Sequence, residues 1–508
     1  MRGRPFDREA VEAVIWCGVM TIPTGARAFA KAFFGHADLG DARRRGALVA
    51  LVTGLVRNPG GRITQVFQTS AARERAYRFV ENADVQASAL TRALATAVGA
   101  LVNRARLMSY VVVDGSSLTL ADPRGRKDFG QVGSHHHGAR GLKVITAYAV
   151  SMAGVPLGVL WQEYWARKTR TRHKLKSTDN RMREVREKET QRWLDTILHA
   201  SNHVDAAKAW FLVDREGDSR TMLQTLASLG SRFTVRSSWN RLLVAGSSGR
   251  RRYLRGVMAK TPAVAKYAVA VPAAHKRKAR TATMVVRMKR VQLLLKDRWH
   301  GTTSVLALNV VWAVEVGTTP HGEKPLDWML LSNAPIDTPD QALAIVRSYQ
   351  MRWRIEDFHK TWKSGRCNVE QTQLHTMHAA IIFAVMHAAV AARAEHLKHK
   401  SRTTPDEPAS AELSPYERKA IAILAYDALN QPVARGGRRQ SKEVAPDENE
   451  MTLGEAILWV ARFGGYTGKS SGGPAGAITI GRGLDFIAGA ATVLEAADIV
   501  AAAKRRRK

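Results

Sequence analysis

Two runs of apolar, largely β-branched or aromatic residues each end at an aspartate: Tyr110-Val111-Val112-Val113-Asp114 and Trp210-Phe211-Leu212-Val213-Asp214. Runs this short and this uniformly apolar read as strands buried on both faces of a mixed sheet. At the end of such a strand the chain turns to solvent, and a carboxylate held rigidly there suits a hard cation such as Mg²⁺. A single strand-end aspartate is more often a turn or cap residue. A third carboxylate changes that reading.

The third comes from a segment with helical spacing that begins near Asp340 and runs past Lys363. Within it Tyr349, Arg352, Glu356 and Lys363 follow one another at intervals of three, four and seven. At about 100° per residue they fall within an arc of roughly 60°, so one helix face carries a carboxylate flanked by a phenol and two cations. Such a face suits a site where a metal-bound phosphate is gripped. The neighbouring acid Asp357 lies about 100° away, which makes Glu356 the better ligand. Trp328, upstream of the helix, is a platform on which an unstacked base could lie, although composition alone places it in a core.

The rest of the sequence sorts into modules. From Arg27 to about Ala100 it is rich in Ala, Leu, Val and Arg at helical spacing, with Leu39-Gly40-Asp41 opening a helix through Arg43, Arg44 and Arg45. Strand-like runs at Val144 to Ala153, Tyr267 to Val271, Met284 to Leu295 and Val305 to Val316 follow, the last three set between basic turns such as Lys276-Arg277-Lys278, like a separate antiparallel insertion. A second helical stretch runs from about Thr376 to His396, and the polar segments Lys398 to Glu417 and Gln431 to Met451 read as linkers. The predicted boundaries are 1–100 for an N-terminal helical module, 101–370 for an α/β core with a β insertion at about 240–320, and 371–508 for a C-terminal helical region.

Lys and Arg number 78 against 44 Asp and Glu, a net charge of +34 on a chain of ordinary globular composition. That excess favours a polyanionic partner, because neutralised phosphates release condensed counterions. Two cysteines, Cys17 and Cys367, are too few for a disulfide framework and fit a reducing cytoplasm. Met1 to Met20 carries Asp7, Glu9 and Glu12, unlike a signal peptide, and Ala379 to Ala392 is shorter than the roughly 20 apolar residues of a membrane span. His135-His136-His137 reads as a loop rather than a metal site, and Lys504 to Lys508 as a solvated basic tail. Gly464 and Gly468 enclose three residues where a phosphate-binding loop needs four, which argues against a nucleotide.

The segment Tyr349-Gln-Met-Arg352-Trp-Arg-Ile-Glu356-Asp-Phe-His-Lys-Thr-Trp-Lys363 closely resembles the signature helix of the insertion-sequence-four family of DDE transposases, nearest to the Tn-five type. Leu39-Gly40-Asp41-Ala42-Arg43-Arg44, Ala76-Tyr77-Arg78-Phe79, Asp214-Arg215-Glu216-x-Asp218, and Trp328 followed 21 residues later by Tyr349 match in the same order. The likeness spans about Phe34 to Gly365, with a weaker match in the glycine-rich stretch Gly464 to Gly476.

The resemblance implies an RNase H-like catalytic core with a β-rich insertion, an N-terminal helical DNA-binding domain and a C-terminal helical dimerisation region. It makes Asp114, Asp214 and Glu356 the catalytic, metal-binding triad for two Mg²⁺ ions, with Mn²⁺ substituting. It places Tyr349, Arg352 and Lys363 at phosphates, Trp328 against a flipped base, and Arg236, 22 residues after Asp214, at the DNA end. Ser238 stands where relatives carry a second basic residue. The implied activity is cut-and-paste transposition on double-stranded DNA by a cytoplasmic, nucleoid-associated homodimer, through nicking, hairpin formation and opening, and strand transfer. A regulator that binds element ends without cutting, and a stand-alone metal nuclease, are the alternatives.

Overall fold

The computed structural model describes residues 22, 24–133, 138–167, 189–245, 249–271, 273, 278–297, 301–430, 444–468 and 473–505. His135-His136-His137, Lys276-Arg277, Lys469-Ser470, the first twenty residues and the last three of the basic tail lie outside them.

The chain opens with helices α1 (Ala26–Phe34), α2 (Ala42–Arg57), α3 (Ile63–Val66), α4 (Ser70–Val80) and α5 (Ala87–Arg104). Asp41 caps α2 as its sequence suggests, its carboxylate accepting the Arg43 amide at 2.7 Å. Leu48, Leu51, Val52, Leu55 and Val56 form the buried stripe of α2, three and four residues apart.

Strands β1 (Ser109–Thr119), β2 (Gly130–Gln131), β3 (Arg140–Ser151) and β4 (Pro156–Trp165) lead to α6 (Glu189–Ser201), β5 (Ala209–Val213), α7 (Arg220–Ser228) and β6 (Arg232–Arg236). β1 is antiparallel to β3 and parallel to β5, and β5 is parallel to β6. The resulting order β4-β3-β1-β5-β6 is a mixed sheet consistent with an RNase H-like core. Val111, Val112, Val113, Phe211, Leu212 and Val213 are all fully buried, as their uniform apolarity requires.

The next elements are β7 (Leu242–Leu243), β8 (Arg252–Tyr253), α8 (Leu254–Ala259), β9 (Ala263–Val271), β10 (Arg280–Lys296), β11 (Thr303–Val316) and β12 (Asp327–Ser332). The antiparallel insertion is present but not separate. β12 pairs with β11 on one edge and with β6 on the other, so the core sheet runs on through it into the insertion. β12 fills the free edge of β6, and an unpaired strand edge is what such an addition satisfies.

The single helix expected from Asp340 past Lys363 is two, α9 (Pro339–Gln350) and α10 (Trp353–Lys363). Met351 and Arg352 stay in the right-handed helical region, but the amides of Met351, Arg352, Arg354 and Ile355 bond three residues back rather than four. One tightened turn therefore re-aims the axis without ending the coil.

Helix α11 (Met377–Thr403) is followed by α12 (Pro415–Asn430), α13 (Leu453–Phe463) and α14 (Ala477–Arg505). By length and composition α11 and α14 could each cross a bilayer, although the shorter stretch seen in the sequence fell below that length. In the fold α11 is enclosed by β4, α10, α5 and α2. Lys398 to Thr403 is not linker but the last turn and a half of this helix. The polar side chains along this helix find partners: Lys400 meets Glu412 at 2.9 Å, His396 meets Glu412 at 3.2 Å, and Arg393 meets Glu417 at 3.5 Å.

Gly464, at the head of the glycine-rich stretch, and Gly483 beyond it serve packing. A Cβ on Gly464 would lie 1.9 Å from the Thr479 carbonyl oxygen, and one on Gly483 would lie 1.7 Å from that of Val460, so α13 and α14 cross where only glycine fits. The modules interlock at Arg366, whose buried guanidinium donates to Asp485 of α14 at 2.7 Å and to the Val56 carbonyl of α2 at 3.3 Å.

Candidate active site

Parallel pairing of β1 with β5 is in register at Val113 and Val213 and stops there, which sets Asp114 and Asp214 side by side at the carboxyl ends of neighbouring strands. Asp114 accepts the Gly115 amide at 2.9 Å, and Asp214 caps a short turn through the Glu216 amide at 2.6 Å. Helix α10 packs on β1 and brings Glu356 in its first turn. The link is Arg352: one terminal nitrogen lies 3.3 Å from Asp114 Oδ2, the other 2.7 Å from Glu356 Oε1. The three carboxylates that the sequence singled out therefore share one locus.

Burial, offset in part by Arg352 and reinforced by the charges of Asp214 and Glu356, pushes the Asp114 carboxyl up to about 7. Three carboxylate groups with mutual repulsion and partial burial fit a hard divalent cation, which would take oxygen ligands and relieve that repulsion.

The other expected residues divide into those at the acids and those behind them. Lys363, at the far end of α10, reaches Ser116 Oγ at 3.4 Å and Glu370 at 3.7 Å, beside the strand that carries Asp114. Tyr349 is buried, and its ring lies 5.9 Å from that of Trp328, which is also buried. The tightened turn thus keeps Tyr349 on the core side while Arg352 and Glu356 face β1. Arg236, the last residue of β6, donates to the Asp327 carbonyl at 2.9 Å and so sits against the strand of Trp328.

Asp357 points the other way, as its helical angle implied, into α11. Burial alone would raise its carboxyl, but His399 and Lys398 hold it well below the usual carboxylate range. Asp357, Glu395 and His399 have ligand atoms within 4.8 Å of one another, yet Lys398 Nζ is 3.2 Å from Asp357 and also pairs with Glu395. The cation of that cluster is the chain's own lysine, and the cluster clamps α10 to α11.

Sequence reading missed Asp218 as an organiser. Its fully buried carboxylate accepts from Ser238 N at 2.7 Å, Ser237 Oγ at 3.1 Å and the guanidinium of Arg241. The turn after Arg236 is therefore fixed, and it presents Trp239 with 66% of its surface exposed. The signal lay in Asp214-Arg215-Glu216-x-Asp218, but its partner Arg241 is 23 residues away.

Two known family models match stretches of the chain. A Transposase DNA-binding family model matches residues 26–85, over α1 to α4, and a Transposase DDE domain model matches residues 186–392, over α6 to most of α11. The chain carries a transposase DNA-binding region and a transposase DDE domain. Asp214 and Glu356 fall inside the DDE match, whereas Asp114 precedes it.

Proposed function

We propose that this transposase carries out metal-dependent cut-and-paste DNA transposition of the insertion-sequence-four, Tn-five type, with Asp114, Asp214 and Glu356 as its catalytic triad. The observation that carries the reading is the adjacency of Asp114 and Asp214 at the ends of parallel strands, with Glu356 tied to Asp114 through Arg352. The triad would hold two Mg²⁺ ions, or Mn²⁺, which when bound activate the attacking oxygen and stabilise the leaving one in an in-line displacement at phosphorus.

The chain's own residues supply the rest. Lys363 and Arg352 grip phosphates beside the acids, Lys as a point charge and Arg as a planar fork. Tyr349 orients Arg352, whose guanidinium lies 5.9 Å from its ring. Arg236 holds the DNA end, and Trp328 receives a flipped base once Tyr349 yields its ring face. Residues 1–100 recognise element ends, residues 101–370 form the catalytic core, and residues 371–508 pair two copies of the chain. The exposed Phe486, Val493, Ile499 and Val500 of α14 support that pairing. A cytoplasmic, nucleoid-associated location follows from the DNA substrate.

Product analysis tests the pathway. On a labelled end fragment the wild type should give a hairpin on a denaturing gel, and Trp328→Ala should lower hairpin yield more than first-strand nicking. Full-rate hairpin formation by Trp328→Ala would remove the base-stacking role, and hydrolysis without any joined strand would mark a nuclease.

A further inference from the structure

We propose that Arg352 gates metal loading: its guanidinium holds the Asp114 and Glu356 oxygens that a divalent ion would take, and a DNA phosphate draws it away. The inference rests on the reading of Asp114, Asp214 and Glu356 as the metal-binding triad. It makes Arg352 a positioning residue in addition to a phosphate contact.

One planar group spans the two carboxylates, 3.3 Å from Asp114 and 2.7 Å from Glu356, and only 10% of its side-chain surface is exposed. It lies over the rings of Tyr349 at 5.9 Å and Trp353 at 5.2 Å, and its buried Nε has no hydrogen-bond partner among the described residues. The rings fix the plane of the guanidinium, and the two acids fix its edge.

A divalent ion and this guanidinium compete for the same two carboxylates. Arg352 already occupies one oxygen of each, and two positive groups at such range repel strongly where water is scarce. The guanidinium must swing out as the ion enters. A phosphate offers the same fork a second bidentate acceptor, so DNA compensates for the two bonds that Arg352 gives up. Linkage makes the coupling reciprocal: the factor by which DNA tightens metal binding is the factor by which metal tightens DNA binding. A chain away from DNA therefore loads metal weakly, and the phosphate backbone licenses loading.

The test is Mn²⁺ titration of the full chain, read as free Mn²⁺ by electron paramagnetic resonance, with circular dichroism as the check on folding. Without DNA, Arg352→Gln is expected to bind Mn²⁺ about tenfold more tightly than the wild type, the equivalent of the shorter, charge-assisted bond to Glu356 no longer given up, the longer one to Asp114 adding little. Arg352→Lys keeps a cation at the acids and is expected within about threefold of the wild type. With a saturating duplex from the gene's native flanks, the wild type should close the gap on Arg352→Gln. Equal or weaker Mn²⁺ binding by Arg352→Gln overturns the gate. Adding Asp114→Asn to Arg352→Gln separates the two claims: loss of Mn²⁺ binding upholds the triad whatever the gate does, and retained binding overturns the triad and the gate together.

Discussion

Asp218→Asn isolates the residue that holds the turn after β6. The carboxylate is fully buried, its partner Arg241 is 11% exposed, and Ser237 and Ser238 add two further donors. Removing one partner of a buried pair costs about 3–5 kcal/mol. The slight exposure of Arg241 and the oxygen that asparagine retains reduce this to about 3 kcal/mol. Since the affected contacts are confined to one turn, the loss should appear as local opening. At about 1.4 kcal/mol per decade, amide exchange in the peptide containing Ser237 to Arg241 should speed about 100-fold under native conditions, while β5 and β1 keep their protection. Hydrogen exchange read by mass spectrometry measures both. A change below about threefold in that peptide would refute the claim that Asp218 organises it, and equal acceleration in β5 would show a global effect instead.

Two other perturbations probe separate parts of the molecule. Lys363→Ala should slow end cleavage and lessen its dependence on salt, because one phosphate contact is lost; rates compared from 50 to 200 mM NaCl, roughly the range over which such contacts weaken, would show an unchanged salt slope if Lys363 does not touch phosphate. His387, wholly buried in α11 between the Phe383 and Gly60 carbonyls, is depressed to about 4 by burial, which outweighs both acceptors. Its unfolded counterpart titrates near 6.5, so the unfolded chain takes up the proton first. Stability from this residue is thus full above about 6.5 and falls by about 3 kcal/mol as pH drops to about 4. Urea midpoints across that range should flatten in His387→Gln, and an identical pH profile would contradict the account.

The parts of the fold legible in the sequence were those where one physical cause acts over a few residues. Uniform apolarity marked β1 and β5, and their terminal aspartates marked the site. Alternating or β-branched runs marked β9, β10 and β11, and the Asp41 cap marked α2. What escaped depended on partners far along the chain. Lys398, His399 and Lys400 looked like linker because their acidic partners, Asp357, Glu395 and Glu412, lie on α10, earlier on α11 and beyond its end. The turn at Met351 and Arg352 left no sequence mark, since both residues remain helical in backbone. Trp328 drew two readings, and in the structure it is a buried ring against Tyr349; the base-stacking role asks that pair to open. Strand β12 was not distinguished as the edge partner of β6, because pairing on both edges is a property of the sheet rather than of the six residues concerned.

The most direct test of the central claim places purified chain, alongside Glu356→Gln, with a plasmid carrying its own gene and native flanks, with and without Mg²⁺, and resolves the products on a denaturing gel. Release of the segment that requires Mg²⁺ and is absent in Glu356→Gln, while both chains still bind the flanks, is the predicted result. Binding without any cut by the wild type would contradict it and leave a regulator of element ends, and cutting that survives Glu356→Gln would contradict the assignment of the triad.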